Sequence, residues 1–296
     1  MALIEVRGLT KRYGEKEVLR GIDLDVEQGQ IVGVLGPNGA GKTTAVECIG
    51  GLRERDGGTI LVAGQDPQDS PRGFRDVVGM QLQQCRLPAR LTPREVLSLF
   101  AAFYADPVPG EDLLASFGLR GQGDLRFDHL SGGQQQRLSV ALALIGRPQI
   151  AILDELTTGL DPAARREIWG HLRRLREEGV TMMLVTHSME EVAALCDHVV
   201  ILDGGRIIAR GSPAELSAGL SRTSFEADLS EATRRRLADL PGVSDVRGGP
   251  HIVVEGDADS PATIIGALLA DGVAPRRLRV EGPSLDEAYL RLTEAS

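Results

Sequence analysis

The sequence predicts an α/β protein with a mainly parallel central sheet, a helical insert and a small C-terminal α+β domain. Short apolar runs rich in β-branched residues alternate with amphipathic segments, which is typical of buried strands that alternate with helices. The clearest predicted strands are residues 31–35, 150–153, 181–185 and 199–202. Helix-like segments separate the last three, so we expect a largely parallel sheet.

The region from about residue 84 to residue 146 has a different character and predicts a helical insert. Apolar and aromatic side chains recur there at helical spacing, namely Val96, Leu97, Leu99, Phe100, Phe103 and Tyr104. Two explanations of this stripe are compatible with each other. It forms the core of the insert, or it lines a groove that receives a helix of a partner protein.

The C-terminal part of the chain predicts a second, smaller domain. Residues 223–296 show a β-α-β-β-α-β-α order of strand-like and helix-like segments, which resembles a small split βαβ unit. A chain of 296 residues is long enough for one large and one small domain. We therefore expect domains at residues 1–215 and 216–296.

Composition limits the partners of the protein. The formal net charge of −9 argues against a surface that follows nucleic acid phosphates, because such binding depends on clustered Lys and Arg. No nucleic acid partner is expected. No apolar run approaches the roughly 18 to 20 residues that cross a bilayer. We expect any role at a membrane to be that of a peripheral subunit.

Residues 36–43 spell GPNGAGKT, a full match to the phosphate-loop pattern G-x-x-x-x-G-K-[ST]. An apolar run precedes the motif and a helix-like segment follows it, so backbone N–H groups and a helix N-terminus are expected to surround phosphates. Lys42 is one of three lysines beside 30 arginines, and its compact charge suits the β- and γ-phosphates. Thr43 supplies a hydroxyl to Mg²⁺. The predicted nucleotide-binding residues are Gly36, Pro37, Asn38, Gly39, Ala40, Gly41, Lys42, Thr43 and Thr44.

Two acidic residues end the predicted strand at residues 150–155, IAILDE. They emerge at the carboxyl edge of a buried strand, where open α/β sheets bind their ligands. Asp154 is suited to hold Mg²⁺. Glu155 is the candidate that orients and activates an attacking water near the γ-phosphate.

The segment LSGGQQQR at residues 130–137 predicts the start of a helix. Ser131, Gly132 and Gly133 would offer a hydroxyl, bare N–H groups and a positive dipole end, which together form a second anion site. The alternative is an ordinary helix N-cap on a surface turn, since Ser is a favoured cap. Both interpretations remain open.

The order of phosphate loop, LSGGQ and IAILDE resembles the ABC ATPase family, of which LSGGQ is the signature motif. The resemblance covers roughly residues 1 to 215 and implies the P-loop NTPase fold. It also implies ATP and Mg²⁺ as ligands, with Ser131, Gly132, Gly133 and Gln134 contacting the nucleotide.

Four further residues match landmarks of that family. Tyr13 matches the aromatic residue that stacks on adenine, and His187 in VTHSMEE resembles the histidine that contacts the γ-phosphate. Gln83 matches the glutamine that contacts Mg²⁺ and senses the transmembrane partner, with Gln84 a less favoured register. Asp161 in TTGLDP matches a dimer contact. Taken singly, Tyr13 is better explained as a packing aromatic, Gln83 as a surface amide and His187 as a residue at a strand end. In sequence order beside the three motifs, the family roles are favoured.

The resemblance implies that the chain works as a homodimer with ATP between the protomers. It also implies a separate transmembrane permease, with this chain lying peripherally at the cytoplasmic face of the cell membrane. The tail at residues 284–293 resembles the extension of drug, antibiotic and polysaccharide exporter ATPases, which favours export of a small molecule. The tail is otherwise explained as a structural cap or dimer-stabilising appendage. The alternatives are a non-transport ABC ATPase that acts on DNA or ribosomes, an importer subunit, and a small-molecule kinase.

The chain departs from the family at Leu156, where the family usually places proline after the catalytic Glu. Proline fixes φ near about −65°, so we expect this loop to be less stiff. We expect activity to be retained, because Asp154, Glu155 and Asp161 are present.

Overall fold

The computed structural model describes residues 2–69, 71–82, 87–157, 160–217, 221–282 and 285–294. The chain divides into two units, Met1–Arg210 and Gly211–Ser296.

The first unit contains two sheets and a set of helices. Its strands are β1 (Ala2–Tyr13), β2 (Lys16–Glu27), β3 (Ile31–Leu35), β4 (Gly57–Val62), β5 (Val78–Gln81), β6 (Ile150–Asp154), β7 (Thr181–Val185), β8 (His198–Asp203) and β9 (Arg206–Gly211). Its helices are α1 (Lys42–Ile49), α2 (Pro71–Val77), α3 (Pro93–Ala101), α4 (Gly110–Ser116), α5 (Gly132–Leu144), α6 (Pro162–Glu177) and α7 (Met189–Leu195).

The central sheet has the strand order β5-β6-β7-β3-β8-β9. The pairs β5–β6, β6–β7, β7–β3 and β3–β8 are all parallel. Every residue of β3, β6 and β7 is buried, as expected of parallel strands that are covered on both faces. The predicted α/β class with a mainly parallel sheet is confirmed.

A second sheet, which the sequence analysis did not predict, is antiparallel with the order β2-β1-β4. In β2 the buried Ile22, Leu24 and Val26 alternate with exposed residues, so this strand has one buried face. Helix α1 contributes Val46 and Ile49 to a buried cluster that also contains side chains of both sheets. The helix that follows the phosphate loop is therefore held by apolar packing against two sheets.

Helices α3, α4 and α5 form the helical insert. Helix α3 begins with Thr92 in a capping box with Glu95, which explains why it starts there. Val96 is buried, as the core interpretation of the apolar stripe requires. Phe103, just after α3, is 73% exposed, so the stripe also has a part that faces solvent.

The second unit is a four-stranded antiparallel sheet with helices. In chain order it contains α8 (Pro213–Ser217), β10 (Ser221–Glu226), α9 (Glu231–Ala238), β11 (Val243–Gly248), β12 (His251–Gly256), α10 (Ser260–Ala270), β13 (Arg276–Glu281) and α11 (Leu285–Glu294). The sheet order is β11-β12-β10-β13, and its core includes Phe225, Ile252 and Leu268. The predicted β-α-β-β-α-β-α order is confirmed.

Among the described residues, the structure has no helix with the length and apolar composition of a membrane span.

Replacement of Phe225 by alanine tests the core of the second unit. Phe225 is fully buried, so Phe225→Ala should cost about 3 to 5 kcal/mol, through lost burial and the cavity left behind. We expect backbone amides of β10 and β12 to exchange with deuterium at least about a hundredfold faster, as measured by mass spectrometry. Leu278→Ala, at a residue 38% exposed in β13, is the control and should accelerate exchange less than about tenfold. Equal acceleration by the two variants would contradict the assignment of this core.

Candidate nucleotide site

The loop between β3 and α1 turns at positions that only glycine can occupy. Gly36 has a φ of 153°, and a Cβ there would lie 2.1 Å from the carbonyl oxygen of Leu202. Gly41 has a φ of 102°, and its Cβ would lie 2.9 Å from the carbonyl oxygen of Val18. The path of the loop is therefore set by close backbone approach, which explains two of the motif's glycines.

The ammonium group of Lys42 lies against this loop. Its Nζ donates hydrogen bonds to the carbonyl oxygens of Gly36 at 2.7 Å and Pro37 at 3.0 Å. Burial lowers the pKa of Lys42, while the charges of Glu155 and Asp154 act in the opposite direction. The ammonium group thus lies between the loop and two carboxylates.

Asp154 is a buried carboxylate at the end of β6, only 2% exposed. Burial and, to a smaller extent, the charge of Glu155 raise its pKa to about 6, against the opposing charge of Lys42. The hydroxyl of Thr43 donates a hydrogen bond to Asp154 Oδ2 at 3.5 Å. Two adjacent hard oxygens, one of them on a carboxylate that lacks solvation, are the donor set that suits Mg²⁺.

Glu155 has a left-handed backbone conformation, with a φ of 49°. Its N–H donates a hydrogen bond to the carbonyl oxygen of Val185 at 2.8 Å, which ties this residue to the end of β7. The Nδ1 atom of His187 lies 3.5 Å from Glu155 Oε1. A left-handed conformation in a non-glycine residue is strained, and such strain is found most often at functional sites.

Leu156 packs inside the protein and is 1% exposed. Packing of this side chain is a physical restraint on the loop that does not need the ring of a proline. The lower stiffness expected from the missing proline stays a prediction.

Tyr13 lies at the end of β1 with 42% of its surface exposed. The Nζ of Lys11 lies 5.8 Å from the ring centroid, and the guanidinium carbon of Arg53 lies 5.3 Å from it. The ring is therefore in the range of cation–π contact with two cations.

One cavity of about 310 Å³ brings nine of the nineteen predicted site residues together. It is lined by Tyr13, Lys16, Val18, Asn38, Gly39, Gly41, Lys42, Thr43, Thr44, Asp154 and Glu155. Gly36, Pro37 and Ala40 lie in the same loop. The sequence analysis missed Lys16 and Val18 as wall residues, and the rarity of lysine in this chain was the available signal for Lys16.

The LSGGQ segment lies at the start of α5, and the described wall of the 310 Å³ cavity does not include it. Ser131 is the N-cap of α5: its hydroxyl accepts a hydrogen bond from Gln134 N at 3.3 Å, and its N–H donates to Gln134 Oε1 at 2.9 Å. The capping role of Ser131 is thus observed, and the anion-binding role of Ser131, Gly132, Gly133 and Gln134 stays a prediction. Ser131 and Gly132 are also exposed, so the end of the helix is accessible.

Asp161 is the N-cap of α6. Its carboxylate accepts hydrogen bonds from Ala163 N at 2.9 Å and Ala164 N at 3.0 Å, and these bonds lower its pKa. Gln83, with its alternative Gln84, lies outside the described residues, so its roles toward Mg²⁺ and the transmembrane partner stay predictions.

Known proteins of the ABC transporter family are similar to this chain over nearly its whole length. The family model described as ABC transporter matches residues 19–158. The daunorubicin resistance ATP-binding protein DrrA2 of Streptomyces coeruleorubidus is 34% identical, over 98% of this chain and 94% of that protein. The Nod factor export ATP-binding protein I of Cupriavidus metallidurans is 36% identical, over 99% of this chain and 97% of that protein.

Solved structures of ATP-binding cassettes share the fold. An ATP-binding subunit of an ABC transporter superposes with a TM-score of 0.67 and 30% identity, covering 72% of this chain and 91% of its own. A dimeric cassette in a post-hydrolysis state, bound to ADP and Pi, superposes with a TM-score of 0.65 and 27% identity, covering 71% of this chain and 98% of its own.

Replacement of Asp154 by asparagine should stabilise the protein while abolishing hydrolysis. The folded-state pKa of about 6 lies above the ordinary value of 3.8, so the folded protein binds this proton more tightly than the unfolded chain. Ionised Asp154 therefore destabilises the fold as the pH rises from about 4 through about 6. Without nucleotide, Asp154→Asn should gain about 2 to 3 kcal/mol at pH 7.5 and little near pH 4, as measured by denaturant unfolding.

Asp76→Asn is the matched control, because Asp76 is an exposed aspartate of α2. We expect its unfolding free energy to follow that of the unmodified protein at both pH values. A gain for Asp154→Asn that did not depend on pH would exclude the burial of an ionised carboxylate as its cause.

Proposed function

Because this chain belongs to the ABC transporter ATP-binding family and is an ATPase, we propose that it powers export of a small molecule through a separate transmembrane permease. The similarity to a daunorubicin resistance protein and to a Nod factor export protein extends over 98% and 99% of this chain. It therefore includes the second unit as well as the cassette. This full-length similarity to exporter components is the observation that carries the proposal.

Hydrolysis in the proposed mechanism depends on residues at the carboxyl ends of β3, β6 and β7. The loop and Lys42 bind the phosphates of ATP. Thr43 and Asp154 would hold Mg²⁺, whose chemistry is to neutralise charge on the phosphates. Glu155 orients the attacking water and accepts its proton, and His187, 3.5 Å from that carboxylate, helps to fix its position.

The active unit in this proposal is a homodimer. Each chain has one phosphate loop and one exposed LSGGQ helix start, which lie in different places on the described surface. The start of α5 at Ser131 is exposed, and a helix N-terminus attracts negative charge. It therefore suits an anion that is bound to a second copy of the chain. The dimeric cassette among the similar structures supports this arrangement.

The docking surface for the permease in this proposal is the exposed part of the helical insert. Leu99 and Phe103 are 50% and 73% exposed, while their neighbours Val96 and Leu97 form the core of the insert. The rings of Phe100 and Phe103 contact edge to face at a centroid distance of 6.1 Å. An apolar helix of a membrane protein would cover this surface, and the chain would then lie peripherally on the cytoplasmic side of the membrane.

Lys42→Ala and Glu155→Gln test the hydrolytic site. Lys42→Ala should lose ATP binding, because the loop loses its only side-chain cation. Glu155→Gln should keep ATP binding, lower phosphate release by on the order of a hundredfold or more, and accumulate dimer with ATP on size-exclusion chromatography. Glu177→Gln, at an exposed glutamate of α6, is the matched control and should behave like the unmodified protein. A Glu155→Gln protein that stays monomeric with ATP would contradict the homodimer.

Phe103→Ser tests the docking surface. Co-expressed in a bilayer with the membrane protein encoded beside it, the ATPase should hydrolyse ATP faster than alone. Phe103→Ser should raise the concentration that gives half-maximal stimulation about tenfold, since burial of Phe contributes about 1.5 to 3 kcal/mol, and should leave the basal rate unchanged. Leu269→Ser, at a residue 62% exposed in α10, is the control. It should change neither the concentration that gives half-maximal stimulation nor the basal rate.

The same assay separates the alternatives. A rate of hydrolysis that the membrane protein does not change, but that DNA or ribosomes raise, would favour a non-transport ABC ATPase. Transfer of phosphate to an organic acceptor, in place of free phosphate, would favour a kinase. Inward movement of a solute in loaded vesicles would favour an importer.

A further inference from the structure

A second cavity, of about 460 Å³, lies at the opposite end of the central sheet from the phosphate loop. Gln149 and Val180 line it and directly precede β6 and β7, and Gln28 lies three residues before β3. Five parallel-strand residues span about 17 Å, so this cavity is separate from the side chains that follow the same strands. We call it the strand-start cavity.

Much of the wall of the strand-start cavity is apolar. Leu113 and Phe117 come from α4 and its C-terminal end, Leu144 from the end of α5 and Leu175 from α6. The first three of these are at most 5% exposed. A volume of several hundred Å³ with an apolar wall and a few polar groups is typical of small-molecule sites.

Two aromatic rings meet in this wall. The rings of Phe117 and His171 lie with centroids 4.9 Å apart and planes tilted by 31°. They join the insert to α6, and both residues line the cavity. A flat aromatic ligand can extend such a stack.

His171 contributes a hydrogen-bond donor. The guanidinium of Arg174 lies 2.6 Å from His171 Nδ1, and Arg only donates, so Nδ1 accepts and the neutral ring carries its proton on Nε2. Burial and the charge of Arg174 lower the pKa of His171, which keeps the ring neutral.

The charged groups of the wall are two guanidinium groups and one carboxylate, from Arg147, Arg174 and Glu178. Arg147 also lies 3.4 Å from Asp106, but both side chains are more than half exposed, so this pair is weak. The carbonyl oxygen of Leu175, at the end of α6, accepts a hydrogen bond from Val180 N at 3.0 Å. Two guanidinium groups against one carboxylate give the wall an excess of positive charge, which favours a negatively charged group.

We propose that the strand-start cavity binds an aromatic organic anion. Its rings lie against Phe117 and His171, and its charged group binds Arg147 and Arg174. The site is independent of the proposed export function, because it is built from residues outside the nucleotide cavity.

The test uses the full chain with saturating MgADP and the probe 1-anilinonaphthalene-8-sulfonate, an aromatic anion. Trp169 is the single tryptophan of the chain and precedes His171 by two residues in α6, so energy transfer from Trp169 reports binding near this cavity. We expect saturable binding of one probe per chain with energy transfer. The uncharged N-phenyl-1-naphthylamine should bind more weakly.

Arg174→Gln and Arg147→Gln should each weaken binding of the sulfonate probe about fivefold to tenfold, because each removes a charge-assisted contact. Arg173→Gln is the matched control: Arg173 is the neighbouring arginine of α6, its side chain donates to the Ala194 carbonyl, and its loss should not change the affinity. Ser116→Phe, which fills the cavity from an exposed position of α4, should abolish binding.

Equal affinities of the three arginine variants would overturn the anion assignment. Binding without energy transfer, or undiminished by Ser116→Phe, would overturn the site. Melting temperatures of all variants identify any that does not fold, and Arg147→Gln tests the charge independently if Arg174→Gln fails.

Discussion

Parallel pairing of β3, β6 and β7 is the constraint on which the nucleotide site depends. Val185 of β7 pairs with Val34 of β3 on one side and with Asp154 of β6 on the other. Because the three strands end level, the loop after β3, the carboxylates of Asp154 and Glu155 at the end of β6 and His187 after β7 meet at one edge of the sheet. The apolar interior of the sheet thus positions polar groups that contribute nothing to its packing.

Arg137 connects the LSGGQ helix to its surroundings. Its guanidinium donates to the carbonyl oxygen of Phe117 at 3.3 Å and forms an ion pair with Glu167 of α6 at 3.1 Å. The side chain therefore braces α5 against both the end of α4 and α6. Since Phe117 also forms part of the strand-start cavity, a displacement of α5 must stretch or remake a contact at that cavity's wall.

The elements that could be predicted from the sequence are those whose burial produces a simple pattern of apolar residues. The central strands are buried on both faces, so they appear as unbroken apolar runs. Strands β1 and β2 have one buried face, and the register of their pairing is irregular. The sequence analysis did not use the alternation of Ile22, Leu24 and Val26 in β2. The motif residues of the site were predicted because the phosphate loop is local in sequence. The cations beside Tyr13 and the left-handed Glu155 were not, because the first depends on packing of distant segments and the second on a hydrogen bond to Val185 of a neighbouring strand.

The buried Asp154 links ligand binding to the lifetime of the protein. At neutral pH its ionised carboxylate opposes folding, and any cation bound beside it offsets that unfavourable term. A ligand that binds the folded state in this way stabilises it by mass action. We therefore expect molecules without nucleotide to open more often and to be cleaved faster by an added protease than molecules that hold it.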